Sequence, residues 1–193
     1  LATLAPRALE MTGAIADGWL GTAFSPDAPE AHLAHIRRGA EKAGRKLEDL
    51  RLSVGVVVAI GDDLGDRIEA QKAALAFQLS AMGSPTVNFY NDAYARSGFS
   101  ETCERVRRLW LDGDRKAAIG AVPEEMVRAT TLFGDAAHVR RRIELYRDCG
   151  INEISLQPTG RGLSGRLDTL GQAVEIGAAV LRRRPPAGRL RSE

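Results

Sequence analysis

The sequence lacks any long hydrophobic run, and this argues against a helical membrane span. A membrane helix needs roughly 20 consecutive apolar residues, whereas the longest apolar stretch, Leu52 to Ile60, has only the length of a strand. The first residues, Leu1 to Pro6, lack an initiator Met and a basic segment followed by an apolar one, so they are not a signal peptide. We therefore expect the chain to be cut from within a larger protein.

Cysteine is nearly absent. Cys103 and Cys149 are the two cysteines, and they lie far apart in the sequence and fit no metal-binding or redox motif. Cysteines used in this way are typical of a reduced compartment, where disulfides are rare. We therefore predict a cytoplasmic protein with two unreactive thiols.

A large excess of charge is absent too. The net charge is +2, but residues 182–193 contain five arginines and one glutamate, which leaves a charge of −2 on the remainder. A mildly acidic body has no broad basic face, so we expect no nucleic-acid partner. Residues 182–193 also contain Pro185-Pro186 and Gly188, and we predict that they form a disordered basic tail behind a single domain at residues 1–181.

Short apolar segments alternate with helical patterns along the remaining chain. The segments at 19–24, 52–60 and 151–156 are predicted to be strands, and the second is apolar on both faces, which is typical of a buried parallel strand. Helical spacing follows each of them, and the long region at 83–134 has helical stretches without a strand pattern. Alternating strands and helices predict a parallel sheet with crossover helices, either a doubly wound open sheet or a slice of a barrel.

A series of short motifs occurs in order along the chain. The motifs are Leu1 to Gly13 (LATLAPRALEMTG), Ala16-Asp17-Gly18-Trp19-Leu20, Ala43-Gly44-Arg45, Val122-Pro123-Glu124-Glu125, Phe133-Gly134 and Tyr146 to Ile151 (YRDCGI). In their order and spacing these motifs resemble the luciferase-like monooxygenase family, and within it the branch that uses the deazaflavin coenzyme F420. The likeness runs from Leu1 to about Leu181.

The resemblance implies an α/β fold, a (β/α)₈ TIM barrel, of which this chain supplies the end of strand 5 through helix 8. Such barrels have about 250 residues, so the first four strands are absent. Family members place the flavin or deazaflavin ring and most proton-transfer groups on that half, and the resemblance therefore assigns no catalytic residue here. A half-barrel exposes two strand edges and its apolar interior, so the isolated segment should associate and be inactive.

For the intact protein, the resemblance implies hydride transfer between F420 and a small organic substrate, with the protein binding and orienting both. An FMN-dependent monooxygenase of the same fold is one alternative. A non-catalytic truncated barrel, which only binds flavin or serves as a structural dimer partner, is another. We expect the intact protein to be a homodimer.

The first candidate site is the turn ahead of the first predicted helix. It consists of Ala2, Thr3, Leu4, Ala5 and Pro6. The free N–H groups and positive dipole at a helix start attract anions, and small side chains let a phosphate approach the backbone. The resemblance implies that this turn contacts the coenzyme phosphate, with the Thr3 hydroxyl as a further donor. An ordinary turn without a ligand would have the same composition.

The second candidate site is the segment Gly160-Arg161-Gly162-Leu163-Ser164-Gly165, which matches G-x-G-x-x-G. No further strand with an acidic residue follows it, which argues against a dinucleotide-binding fold. Barrels often bind phosphate after strands 7 and 8, so Gly160, Arg161 and Gly162 could hold an anionic group of substrate or coenzyme. A flexible glycine loop explains the segment equally well.

Residues at the carboxyl ends of predicted strands are candidates for a pocket wall, because barrel enzymes place their chemistry there. These residues are Thr22, Phe24 and Ser25 after the first strand, and Gln157 and Pro158 after the last. Strand packing would account for each of them almost as well.

His32 and His35 are spaced three residues apart, near Glu30, as in some metal-binding helices. No third cluster of ligands accompanies them, and their helix is expected on the outer surface of a barrel. We therefore predict no metal site.

Overall fold

The computed structural model describes residues 1–84 and 86–182, and within them four strands form one sheet. The strands are β1 (Gly18–Gly21), β2 (Arg51–Ile60), β3 (Leu132–Gly134) and β4 (Glu153–Pro158). Along one edge of β2, residues 53–58 pair with β4, while β1 and β3 pair with the two ends of the other edge. All three pairings are parallel, which confirms the predicted sheet type.

Leu1 continues the sheet beyond β1. Its nitrogen donates to the carbonyl of Gly18 (2.8 Å), and its own carbonyl accepts from the nitrogen of Leu20 (2.8 Å). This alternation is the hydrogen-bond pattern of a parallel ladder. The segment at Leu1, β1, β2 and β4 therefore lie side by side in chain order, as in a barrel, whereas a doubly wound sheet reverses its strand order at a switch point.

The helices fall into two groups. Those that cover the sheet are α1 (Pro6–Ile15), α2 (Glu30–Lys42), α8 (Ala136–Asp148) and α9 (Gly162–Arg182). Between β2 and β3 lie α3 (Gly65–Ala81), α4 (Phe89–Tyr94), α5 (Ser100–Leu111), α6 (Arg115–Gly120) and α7 (Glu124–Thr130), with a π-helical segment at Ala95–Phe99. We call residues 65–130 the insertion.

Alternate residues of β2 face two separate cores. Leu52, Val54 and Val56 are buried beneath α1, α2, α8 and α9. On the opposite face, Val57 and Ala59 pack against the insertion. The strand is therefore apolar on both faces because helices cover it from both sides.

The second face of the sheet is open nearer the starts of the strands. Leu20, Ser155 and Gln157 are exposed there, and their register partners on β2 are Ser53, Gly55 and Val57. We call this surface the inner face, because a complete barrel would enclose it.

The strands differ from the sequence-based prediction in their ends and in their number: β1 ends at Gly21 rather than Phe24, and β4 covers residues 153–158 rather than 151–156. β3 lies within the region at 83–134, where no strand pattern is visible, because three residues are too few to show alternation. Only pairing with residues 58–60 of β2 makes them a strand. The last helix begins at Gly162, so the glycine segment at residues 160–165 runs directly into α9.

Of the predicted tail at residues 182–193, the structure describes Arg182, which is the last residue of α9. Residues 183–193 lie outside the described residues. Among the helices of residues 1–84 and 86–182, each falls short of the combined length and apolarity that crossing a bilayer requires.

Candidate functional site

The turn formed by Ala2 to Pro6 leads directly into α1. Ala5 is extended (φ −71°, ψ 142°), and Pro6 is the first helical residue, a position that tolerates the missing N–H. Ala5, at the cap position, has no side-chain acceptor for the helix, and first-turn N–H groups such as those of Arg7 and Ala8 have no acceptor within the helix. The turn therefore offers free donors and the positive end of the helix dipole, as an anion site requires.

Thr3 is held in place by two hydrogen bonds. Its hydroxyl lies 2.8 Å from that of Thr12, which itself donates to the carbonyl of Ala8 (2.9 Å), so Thr3 is the donor of the pair. The Thr3 carbonyl accepts from the indole nitrogen of Trp19 (3.0 Å). The hydroxyl proton of Thr3 is thus committed to α1, and donating it to a ligand would require that bond to break.

An arginine from the insertion reaches the same turn. Nη2 of Arg96 donates to the carbonyl of Leu4 (2.8 Å), and its Nε lies 3.5 Å from the carbonyl of Ala31 at the start of α2. The role of Arg96 is not visible in the sequence, because 92 residues separate it from Leu4 and its neighbours form no recognisable motif. The turn therefore has a cationic neighbour that only the tertiary structure reveals.

Phe24 and Ser25 do not face the inner side of the sheet, which corrects their predicted placement in a pocket wall. The ring of Phe24 is buried against those of Trp19 and Tyr146, with ring centroids 6.0 and 5.9 Å away. The hydroxyl of Ser25 is buried and donates to the carbonyl of Ala129 (3.0 Å). The physical reason is that β1 has already ended at Gly21, so strand alternation no longer sets the direction of these side chains.

Gln157 does lie on the inner face. It is exposed on β4, and its Nε2 lies beside Gly55, where an added Cβ would be 3.5 Å away. Because Gly55 has no side chain, the amide of Gln157 can extend over β2. This amide makes no hydrogen bond to the part of the chain that the structure describes, so it is available to a ligand on the inner face.

The glycine segment joins β4 closely to α9. A Cβ added at Gly160 would lie 2.3 Å from the carbonyl carbon of Gly165, so the end of the strand packs directly on the first turn of the helix. Gly162 has φ +64°, in the left-handed region that glycine readily adopts. Packing and backbone conformation thus explain these glycines, whereas they do not explain Arg161, which is exposed between them.

Both candidate segments follow the carboxyl ends of parallel strands, so they lie at the same edge of the sheet. Three inter-strand spacings, or about 14 Å, separate the segment at Leu1 from β4. One extended small molecule could therefore contact the turn at residues 2–6 and the segment at 160–162 together.

His32 of α2 is fully buried rather than exposed on the outer surface. Its imidazole lies against the rings of Trp19 and Phe24 (centroids 5.5 and 5.6 Å away), and neither nitrogen has a partner in the described part of the chain. Burial, with a smaller contribution from the charge of Arg96, lowers the pKa of His32 to about 4. No group of three ligand-type side chains suited to a metal ion occurs among the described residues.

Acidification is expected to destabilise the fold through His32. An unfolded histidine has a pKa of about 6.5, above the folded value, so the unfolded chain takes up the proton first as the pH falls. This contribution to stability is complete above pH 6.5 and declines toward pH 4, with a loss of about 2 kcal/mol at pH 5. Urea unfolding at pH 7 and pH 5 measures it.

In the variant His32→Leu, the free energy of unfolding should change less between pH 7 and pH 5 than in the wild type. His35→Gln should reduce this change by a smaller amount, because His35 is only partly buried. A His32→Leu protein with the full pH dependence of the wild type would contradict the prediction.

Known proteins match most of this chain in sequence. A family model described as luciferase-like monooxygenase matches residues 1–153. A putative coenzyme F420-dependent oxidoreductase from Mycobacterium tuberculosis is 28% identical over 148 residues, which are 76% of this chain and 43% of that protein. The 5,10-methylenetetrahydromethanopterin reductase of Methanopyrus kandleri is 32% identical over 171 residues, or 88% of this chain and 47% of that protein.

Solved structures show the same architecture. The coenzyme F420-dependent tetrahydromethanopterin reductase of Methanopyrus kandleri superposes with a TM-score of 0.62 at 29% sequence identity. The match covers 93% of this chain and 48% of the reductase chain. An F420-dependent secondary alcohol dehydrogenase in complex with an F420-acetone adduct has a TM-score of 0.63 at 13% identity, which shows similarity of fold alone.

This chain spans about half the length of the relatives it matches, and its parallel strands in chain order are those of a partial TIM barrel. The family model covers most of its residues. The chain therefore belongs to the luciferase-like monooxygenase family.

Proposed function

We propose that the protein containing this chain is an F420-dependent oxidoreductase that transfers a hydride between the deazaflavin and a small organic substrate. The observation that carries the proposal is similarity to relatives whose names state F420 dependence, at 28% and 29% identity over three quarters or more of the chain. This chain would contribute the end of strand 5 through helix 8 of the barrel.

The turn before α1 fits an anionic group of such a coenzyme. We propose that Ala2, Thr3, Leu4, Ala5 and Pro6 bind the coenzyme phosphate through the first N–H groups of the helix. Three observations support this: the helix is uncapped, the side chains of the two alanines are small, and hydrogen bonds from its neighbours hold the turn in place.

The deazaflavin ring supplies the hydride chemistry when it is bound, and the residues of this chain bind and orient. Gly160, Arg161 and Gly162 would hold a second anionic group of the coenzyme or substrate. The free amide of Gln157 would donate to a polar atom of a ligand on the inner face. We assign no catalytic residue to this chain.

Three further proposals concern the state of the protein. We propose that the intact protein is cytoplasmic and homodimeric, and that this chain alone is inactive. The inner face supports the last proposal, because Leu20 and Gln157 are exposed on it and water would reach a hydride donor bound there.

Titration of the full-length protein with F420 and with FMN separates this proposal from its alternatives. Saturable binding of F420, followed by absorbance changes that report hydride transfer, would support it. Binding of FMN with oxygen consumption would identify a monooxygenase instead. Binding of either coenzyme without turnover of any substrate would favour a non-catalytic protein.

Replacing Ala5 by aspartate is expected to stabilise the protein while weakening F420 binding. Ala5 occupies the cap position of α1 and offers no side-chain acceptor. An aspartate there would accept from the first N–H groups and add about 1 kcal/mol of stability. Its carboxylate would also occupy the place proposed for the phosphate, so the dissociation constant for F420 should rise about tenfold or more.

Fluorescence titration and thermal unfolding of Ala5→Asp measure the two effects. The control is Ala43→Asp, which adds the same charge at the exposed end of α2 and should leave F420 binding unchanged. If the protein binds F420 and Ala5→Asp binds it equally well, the phosphate lies elsewhere.

A further inference from the structure

Arg96 lies on the π-helical segment Ala95–Phe99, which joins α4 to α5 within the insertion. A π turn contains more residues than an α turn, and such turns often occur at functional sites because they redirect side chains. Gly98, with φ +99°, marks the kink that precedes α5. The helix therefore departs from regular geometry at the residue that reaches toward α1.

The backbone that carries Arg96 is firmly anchored. Asn91 of α4 is buried, and its Nδ2 donates to the carbonyls of Leu79 (2.9 Å) and Cys103 (3.2 Å), which ties α4 to both neighbouring helices. Ser97 is buried as well, and its hydroxyl donates back into α4. A side chain on a backbone this fixed loses less entropy when it contacts a ligand.

The guanidinium of Arg96 holds the turn in place, and some of its N–H groups have no acceptor among the described residues. Its Nη2 donates to the carbonyl of Leu4 (2.8 Å), and its Nε makes only a long contact to Ala31 (3.5 Å). A guanidinium has five N–H donors, and Nη1 donates to no atom of the described residues. Two donors at Nη1 are therefore left for another acceptor.

The charge of Arg96 is not neutralised by an ion pair within the described part of the chain. The buried Arg142 differs, since it pairs with Asp27 at 2.6 Å. Arg96 also lies beside the turn that precedes the positive end of the α1 dipole, so two positive features meet there. The charge of Asp92 acts favourably on Arg96 without an ion pair among the described residues, and a bound anion would add to this while accepting from both Arg96 and the start of α1.

We propose that Arg96 is a coenzyme-positioning residue, which holds the turn at residues 2–6 through Leu4 and donates from Nη1 to the anionic group bound there. This rests on the proposed F420 function and deepens it, because it makes the insertion a part of the coenzyme site. A change in the insertion would thereby reach the turn through Arg96, in addition to the packing of Leu4 against the apolar cluster of the insertion.

The test uses the full-length protein with Arg96→Met and Arg96→Lys, and with Arg108→Met as a control that removes an exposed charge from α5. F420 affinity is measured by fluorescence titration, and hydrogen exchange of residues 4–9 is measured without coenzyme. We expect Arg96→Met to weaken F420 binding about tenfold or more and to accelerate exchange at residues 4–9. Arg96→Lys, with a single donor group, should bind with intermediate affinity.

Wild-type affinity in Arg96→Met, or an equal loss in Arg108→Met, would overturn the proposal. If Arg96→Met does not fold, Arg96→Lys decides: weaker binding with a normal melting temperature supports the proposal, and unchanged binding overturns it. If the wild-type protein itself does not bind F420, the proposed function is wrong, and the exchange comparison still tests whether Arg96 holds the turn.

Discussion

Replacing Gly39 by alanine is expected to lower the free energy of unfolding by about 3 kcal/mol or more. Helices α1 and α2 cross at two glycines. A Cβ added at Gly39 would lie 1.8 Å from the carbonyl oxygen of Glu10, and one added at Gly13 would lie 1.9 Å from that of Ile36. Both obstacles are backbone atoms, so no side-chain rotation relieves the clash and the helices must separate.

The same substitution in α9 is a matched control. An added Cβ at Gly171 meets no atom of the described residues within 4 Å, so Gly171→Ala should stabilise the protein by about 0.5–1 kcal/mol, because alanine favours the helix. Urea unfolding of both variants measures the contrast. Similar effects of the two substitutions would show that the crossing of α1 and α2 does not depend on its glycines.

Replacing Asp27 by asparagine is expected to destabilise the protein by about 2 kcal/mol, less than for a fully buried pair because the side chain of Asp27 is half exposed. Arg142 of α8 is buried, and its Nη1 donates to both carboxylate oxygens of Asp27 (2.8 and 2.6 Å), while Nη2 donates to the carbonyl of Ala129 (2.6 Å). Without the carboxylate, a buried guanidinium loses its counter-charge. The loop between β1 and α2 would then lose its attachment to α8.

Two further variants show whether the buried charge is the cause. Arg37→Met breaks an exposed pair with Glu30 and should change the stability by less than about 1 kcal/mol. Combining Asp27→Asn with Arg142→Met should be less harmful than Asp27→Asn alone, since it removes the unpaired charge. A double variant that is less stable than Asp27→Asn would assign the effect to lost packing instead.

β2 shows why the type of sheet could be predicted. Apart from Ser53, the segment from Leu52 to Ile60 has no polar side chain on either face, and this pattern depends on residues that are neighbours in the chain. The structure buries Val56 beneath the outer helices and Ala59 beneath the insertion. A strand covered on both sides needs crossover helices, so the local pattern carries information about the architecture.

The pocket wall shows where such inference stops. Phe24 and Gln157 both follow the apolar core of a predicted strand, yet only Gln157 lies on the inner face. The difference arises because β1 ends at Gly21, whereas β4 continues to Pro158 through pairing with β2. Strand length is set by the partner, so it cannot be derived from either segment alone.

By itself, the sequence determined the order of β1, β2 and β4 and of the helices that follow them, the parallel sheet and the resemblance to a family, because the spacing of apolar residues and the order of short motifs are local properties of the chain. Only the tertiary structure decided which side chains meet: Arg96 with the turn at Leu4, Arg142 with Asp27, and His32 with the core. These contacts join elements far apart in sequence, and they depend on how closely helices cross and where strands end, which no local pattern records.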